Sequence, residues 1–465
     1  MARGLRTTLV ACALVTSLGA AVPALAQEPS VGDLAAGVEE AKLAGHNAWM
    51  LTSCALVLFM TVPGLAMFYG GLVRRKNVLS VLMQCVFLMG LMTVLWALYG
   101  YSLAFGGDNP YIGNGEYLLM QDVARSWPDG ADGPIEPMEG AIPRLTHMAF
   151  QGMFFIITPA LICGAFAERM KFSAMVAFSV LWGTFVYCPL CHWVWDGGIL
   201  AYGGENSWGN GALDFAGGTV VHISSGIAAL VCALMLGKRK GFGSEDMRPH
   251  NLTYTALGAG MLWVGWFGFN AGSELASDHL TSSAFVVTHF GAAAGVLAWS
   301  LYEWLTRGKP SVLGAASGAV AGLVCVTPAA GFVSPMSGLI MGAAAGVVCA
   351  WAVGMKNKWG YDDALDAFGV HGVGGTLGAV LTGVFATRAH WDIAEGKKLG
   401  LVEASYADSV MGGQLCATAV TWLFAIVATW IILMILKGTI GLRIDEDGER
   451  KGLDLADHEE EGYLL

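Results

Sequence analysis

Charge is scarce in this sequence. Asp, Glu, Lys and Arg make up 13% of its 465 residues, against about 25% in an ordinary soluble domain, while 55% are hydrophobic. That shortage excludes a soluble enzyme of two or three domains, and a disordered chain with it. Basic residues are the scarcer sign: 25 Lys and Arg stand against 36 Asp and Glu, for a net charge of −11. Nucleic acid asks for the opposite balance. No soluble stretch is long enough for a separate enzyme domain; the longest between apolar runs covers residues 106–143, and an acidic tail begins at Asp445. Glycine is what abounds, with 64 residues, about twice ordinary usage and without a collagen period. In apolar segments it lets helices approach closely inside a bilayer. The fold class read from this is an all-α, polytopic membrane protein.

The first 26 residues read as a secretory signal peptide. Arg3 and Arg6 precede an apolar stretch from Leu9 to Ala24, and Ala24-Leu25-Ala26 has the form of a cleavage site. The alternative, a first membrane helix, is disfavoured by the shortness of the run and by Pro23. Residues 27–45 then lie outside, in a periplasm if the cell is Gram-negative.

Eleven apolar runs are each near the length that spans a bilayer: 47–71, 78–105, 146–167, 173–194, 214–236, 251–271, 282–305, 312–327, 336–355, 364–386 and 409–436. They make a domain over 46–437, followed by a tail at 438–465. Starting outside, eleven spans end inside. Seventeen Lys and Arg fall in the segments this places inside, six in those outside and two in the signal peptide, as the positive-inside rule requires. An inner-membrane location with the N-terminus outside and the C-terminus in the cytoplasm follows. Gly314, Gly318 and Gly322 form a small-residue stripe, read as packing rather than as a ligand site.

Ionisable groups in the middle of spans are costly and point to function. His222 lies in the fifth run and His371 in the tenth, and each follows an aspartate, Asp214 or Asp363, by eight residues. Eight residues are about 12 Å of helix rise, near the midplane of a membrane. Matching motifs on oppositely directed spans five apart imply an inverted 5+5 repeat, plus a final helix, with a site at the midplane. The aspartates are read as helix caps. Neutral, buried imidazoles both donate and accept hydrogen bonds and suit a small polar solute. No Cys or carboxylate accompanies them at the same depth, so no metal or other cofactor is expected.

The two motifs Asp214-Phe-Ala-Gly-Gly-Thr-Val-Val-His222 and Phe368-Gly-Val-His371-Gly resemble the twin-histidine motifs of the Amt/Mep/Rhesus ammonium transporters. Gly265-Trp-Phe-Gly-Phe-Asn-Ala-Gly-Ser273, Met67-Phe-Tyr-Gly-Gly71, Phe150-Gln-Gly-Met-Phe154, Lys309-Pro-Ser311 and Gly441-Leu-Arg443 match the same family in order. The resemblance implies a homotrimer of eleven-helix protomers, one pore in each. It implies that His222 and His371 are the pore's paired histidines, and that Phe154 and Phe269 form a phenyl gate at its outer end. Trp195 and Ser273, with Phe154, correspond to the ammonium recruitment site, supported by Asp214, with Trp266 beside the histidines. Trp195 is typical of the Amt branch. A cytoplasmic PII-type signal protein is the implied regulator.

Some residues depart from the family pattern. Cys188-Pro-Leu-Cys191-His192 has the spacing of a haem attachment motif, but the family keeps only the histidine, and we read the match as coincidence. Leu365 stands where some bacterial members have cysteine. The tail's carboxylates, from Asp445 to Glu461, read equally as a solvated run or as a regulatory segment. The function expected is ammonium transport and not enzymatic catalysis: NH4+ is recruited outside, deprotonated, and conducted as ammonia past the histidines, with or without a proton moving separately. The alternative is an ammonium sensor that signals to a cytoplasmic partner, and sensor members often carry an appended domain.

Overall fold

The computed structural model describes residues 30–390 and 399–463, so the expected signal peptide lies outside the described residues. The chain divides into two compact units, Met1–Gly45 and His46–Leu465. In the first, Ser30 and Asp33 bond reciprocally at the start of a helix, the Ser30 amide donating to Asp33 Oδ2 at 2.9 Å.

Among the described residues, eleven helical segments cover the eleven expected runs. Nine of these are long and apolar enough to cross a membrane: α1 (Val31–Leu72), α2 (Arg75–Phe105), α3 (Arg144–Phe166), α4 (Phe172–Trp195), α5 (Gly218–Leu236), α7 (His279–Arg307), α9 (Pro335–Trp359), α10 (Phe368–Phe385) and α11 (Met411–Thr439). The other two are α6 (Leu252–Ala271) and α8 (Val312–Val326). Glycines, aromatics and an asparagine keep the mean hydropathy of α6 down. At 15 residues, α8 is about 22 Å long, less than the membrane's hydrocarbon core. The architecture is an all-helical membrane fold.

Side-chain caps fix several helix starts. Asp278 forms a capping box with Thr281 on α7, and Asn251, Ser311 and Ser334 cap α6, α8 and α9. The glycine stripe of α8 packs on α7. A methyl on Gly318 would meet Gly295 O at 2.5 Å, and one on Gly322 would meet Gly291 O at 2.2 Å. From the other side, Gly342 and Gly346 of α9 crowd the same two carbonyls. Backbones at this distance leave no room for any side chain, which is why small residues recur here.

Charges collect at the end of the bundle that carries the tail. Glu168 is fully buried and accepts hydrogen bonds from the Arg74 amide (2.6 Å), Asn77 Nδ2 (3.0 Å) and Arg239 Nη1 (2.8 Å). Arg239 also reaches Asp362 through Nε and Nη2, at 2.9 and 2.8 Å. One network thus joins the α1–α2, α3–α4, α5–α6 and α9–α10 connections.

The tail folds back over this network. Lys171 and Ile444 amides donate to Leu442 O and Arg169 O, and Arg443 pairs with Glu449 at 2.6 Å. Two short helices, α12 (Glu446–Lys451) and α13 (Leu453–His458), follow. The acidic run is only partly solvated. Glu449 and Asp454 are buried, Asp454 accepting from the Ser80 amide at 2.8 Å, and Asp457 accepts from the Phe172 amide.

Burial pushes the Glu168 carboxyl up, but Arg239 and Arg74 outweigh it and hold the group below its ordinary value; Asp362 is held down by Arg239 in the same way. A carboxyl with a lowered folded pKa stabilises the fold above its unfolded value and loses that contribution as pH falls through the folded one. Glu168→Gln is therefore expected to cost roughly 3–5 kcal/mol at neutral pH, as for other broken buried pairs. The gap to wild type should shrink as pH falls below about 4. Thermal unfolding in detergent across pH measures it, and a gap that does not change with pH contradicts the account.

Candidate functional site

Two aspartates build the starts of α5 and α10. Asp214 accepts from the amides of Gly217 (2.8 Å), Gly218 (2.5 Å) and Thr219 (2.8 Å), as well as from the Thr219 hydroxyl. Asp363 does the same for Ala367 (3.2 Å) and Phe368 (2.8 Å). Each cap opens a single wide turn of π-helix, Gly218–Ile223 and Phe368–Gly372, and each turn carries a histidine. Such turns shift a side chain's direction relative to the helix that follows. Burial, reinforced by Asp366, pushes the Asp363 carboxyl up to about 6.

The turns bring His222 and His371 together across 149 residues of sequence. Their Nδ1 atoms are 3.3 Å apart and the rings lie 20° from parallel. A hydrogen bond between two Nδ1 atoms needs one donor and one acceptor, so the neutral pair takes opposite tautomers. His222 Nε2 is buried without a partner, and both rings line a cavity with Ile157, Leu161, Trp266 and Phe269. Its space for the centre of a water-sized molecule is about 10 Å³, about enough for one.

From this cavity toward the end opposite the tail, the rings continue in file. Phe269 lies 5.9 Å from His222 and 4.4 Å from Phe154, whose ring meets the edge of Trp195 at 5.7 Å. Trp195 Nε1 donates to Asp214 O at 2.9 Å, so Asp214 holds the tryptophan through its backbone and α5 through its side chain. Ser273, half-buried in the turn after α6, donates to Phe269 O at 2.8 Å, which leaves its hydroxyl oxygen free to accept. Trp266 is 5.5 Å from His222, and its Nε1 donates to Thr327 Oγ1 at 2.9 Å. Seven of the eight residues expected at the site are joined by these contacts, and Ser273 is tied to them through the Phe269 carbonyl. Leu365 lies apart, buried in the wall of a wider cavity of about 420 Å³ at the tail end, with Arg239, Lys356 and Asp366.

The Cys188–His192 motif is not built to hold haem. Both thiols are buried and free, and both His192 ring nitrogens are engaged by Ala104 O and Asn109 O.

Sequence reasoning missed two features. Glycines, not histidines, set the crossing of α5 and α10: a methyl on Gly226 would lie 2.0 Å from Gly372 N, and one on Gly375 would lie 2.9 Å from His222 Cβ. The signal was present, since Gly226 follows His222 by four residues and Gly372 follows His371 directly. The other is Glu274, next to Ser273 in the same turn, whose carboxyl burial and Asp278 push up to about 7.

A family model described as Ammonium Transporter Family matches residues 48–463. The chain is 46% identical over 412 residues to an ammonium transporter of Bacillus subtilis, covering 88% of this chain and 96% of that one. Among solved structures it is similar to Mep2 of Candida albicans, with 32% identity, a TM-score of 0.79 and coverage of 91% and 93%. It is also similar to a sensor Amt protein, at 25% identity and a TM-score of 0.79, covering 90% and 100%.

Gly226→Leu should separate the two helices and with them the histidines. Overpacking a fitted contact costs about 1–3 kcal/mol, and here the obstacle is backbone, which cannot move aside. A lower unfolding temperature is expected, while the same change at Gly260, which meets nothing within 4 Å, leaves it near wild type.

Proposed function

The chain belongs to the Ammonium Transporter Family, and we propose that it moves ammonium across the membrane as ammonia, along the path from Trp195 to the histidine pair. The observation that carries this reading is His222, whose buried Nε2 has no partner among the described residues and whose ring lines an otherwise apolar cavity with room for about one small molecule. A buried nitrogen without a partner costs about 1–3 kcal/mol, which a passing solute able to hydrogen-bond offsets.

The steps follow from the order of the groups. At the mouth, NH4+ faces the ring of Phe154 and the indole of Trp195 as a cation–π guest and donates a hydrogen bond to Ser273. Asp214 supports this site without needing to touch the ion, since its oxygens are committed to amides. Phe154 and Phe269, their rings 4.4 Å apart and tilted by 48°, close the way inward. Beyond them the cavity offers nothing to compensate a charge, so NH4+ gives its proton to water at the outer mouth and ammonia goes on. Trp266 and the histidines hold it, one imidazole accepting and the other donating. Potassium is similar in size but neither donates a hydrogen bond nor loses a proton, so the dry passage penalises it.

We place the tail end in the cytoplasm of a cell whose inner membrane the chain spans eleven times, with residues 27–45 in the periplasm after signal cleavage. The Lys and Arg distribution supports that orientation. A homotrimer, one pore per protomer, rests on the family resemblance. His289 agrees with it, because α7 exposes this ring about 15 Å from its start, at a depth where lipid offers no hydrogen bond. A PII-type signal protein acting at the tail end rests on the resemblance alone. The sensor reading is favoured by one observation, the likeness to a sensor Amt protein, at lower identity than the transporters.

Reconstitution in liposomes tests transport. Wild type should answer an ammonium pulse with current or a change of internal pH, and a response no larger than that of empty liposomes refutes the reading. His222→Ala/His371→Ala should lower ammonium flux about tenfold or more relative to potassium, the equivalent of about 1.4 kcal/mol. Unchanged selectivity removes the role given to the histidines.

A further inference from the structure

His192 lies three residues before Trp195, in the last turn of α4, and neither packing nor the ammonium path explains its surroundings. Its side chain is 1% exposed, yet every polar atom around the ring is an acceptor. Nε2 meets Asn109 O in a short hydrogen bond, and Nδ1 points at Ala104 O, 3.2 Å away. Asp196 Oδ2 stands 2.9 Å from the same Nδ1, off the line of that bond. A neutral imidazole has one N–H and one lone pair, and here the lone pair would press against an oxygen's own electrons. An imidazolium donates on both sides and has a counter-ion beside it.

The contact belongs to a larger strap. Three successive carbonyls of the loop after α2 are held by the end of α4: Asn109 O by His192, Pro110 O by the Ile199 amide (3.2 Å), and Tyr111 O by Trp193 Nε1 (2.6 Å). Trp195 sits within this strapped turn, its own indole fixed to Asp214 O and its edge against Phe154. Of the three donors, only the imidazole can be switched off by pH. The charged groups near it are Asp196 on its own segment and, acting on Asp196, Asp108 and Glu139, with Arg144 paired to Glu139 at 3.4 Å.

We propose that His192 is a positioning residue for ammonium recruitment: as an imidazolium it clamps the α2 end and the loop after it to the turn that carries Trp195, and loss of its proton loosens that rim. The inference rests on the recruitment role given to Trp195 above. The clamp is present at low pH and released as pH rises through the pKa of the histidine. Ammonium should therefore be captured less readily at high pH, with little change in the rate once the solute has passed the gate.

Liposomes containing wild type, His192→Gln, His192→Phe or Asp196→Asn test it by ammonium titration between about pH 5 and pH 8, the range in which histidine titrates. At the low end His192→Phe should raise the half-saturating ammonium concentration about tenfold, or about 1.4 kcal/mol, and His192→Gln, which keeps one donor, should raise it less. Maximal rates should be little changed. Dividing by wild type at each pH removes any contribution from Glu274, and the ratio should fall toward one as pH rises. A ratio independent of pH, or a loss of maximal rate alone, overturns the proposal. Asp196→Asn removes the counter-ion and should move the break in the profile to lower pH; an unmoved break also overturns it.

A second measurement does not depend on transport. Nitrogen NMR of histidine-labelled protein in bilayers should show, below the break, a doubly protonated ring that is missing from His192→Gln. Its absence in wild type overturns the clamp whatever the flux, whereas a wild type that shows the ring but ignores ammonium refutes the transport reading instead.

Discussion

Where α5 crosses α10, the backbone of one helix rests on the other. A methyl on Gly226 would come within 2.0 Å of Gly372 N, and one on Gly375 within 2.9 Å of His222 Cβ and 3.1 Å of Ile223 N. Helices in a membrane gain little from burying apolar surface against each other, since lipid is equally apolar, and dispersion between closely fitted backbones takes its place. That approach is what lets two Nδ1 atoms meet at 3.3 Å from helices of opposite direction. A wider crossing would leave two separate imidazoles, each buried and each without a partner.

Around this crossing many polar groups are satisfied locally, and most buried charge lies at the ends. Hydroxyls inside the spans donate to a carbonyl one turn back: Thr158 to Phe154 O, Thr288 to Ala284 O, Thr327 to Leu323 O and Thr382 to Gly378 O. Thr327 then receives Trp266 Nε1, which holds the indole beside His222. Apart from Asp214, the buried ions are gathered at the tail end, where Arg239 bridges Glu168 and Asp362 and ties four connections together. Nothing with a fixed charge lines the cavity between these regions. In a medium that cannot solvate a lone ion, that separation distinguishes a neutral solute from a charged one.

Much of the fold was legible in the residues. The eleven apolar runs fall on eleven helical segments, because length and hydropathy are summed locally and need no knowledge of neighbours. The fifth and tenth helices begin four residues later than the runs suggest, since Asp214 and Asp363 act as caps ahead of them rather than as first helical residues. The aromatic file was harder to read. Phe154, Phe269 and Trp266 have spacings that suit ordinary core packing, and only resemblance to a family picked them out. The tail's carboxylates read equally as a solvated run or a regulatory segment, and sequence could not show that Glu449 accepts from the Lys240 amide and Asp454 from the Ser80 amide, both on distant connections. His192 was noticed for the wrong reason, because the cysteines beside it suggested a haem motif while its own partners lie 83 and 88 residues away.

That the chain belongs in a bilayer, where its helices lie, and that two histidines stand at matching depths could all be read from the residues. These properties depend on composition and on short-range order, and the scarcity of charge already limits what a passage through such a bundle will carry. The hydrogen bond between the histidines, the free nitrogen of His222 and the acceptors around His192 appear only once the chain is folded. Each of those depends on distances between segments far apart in the chain. Close packing through glycine sets such distances, and no local pattern of residues encodes them.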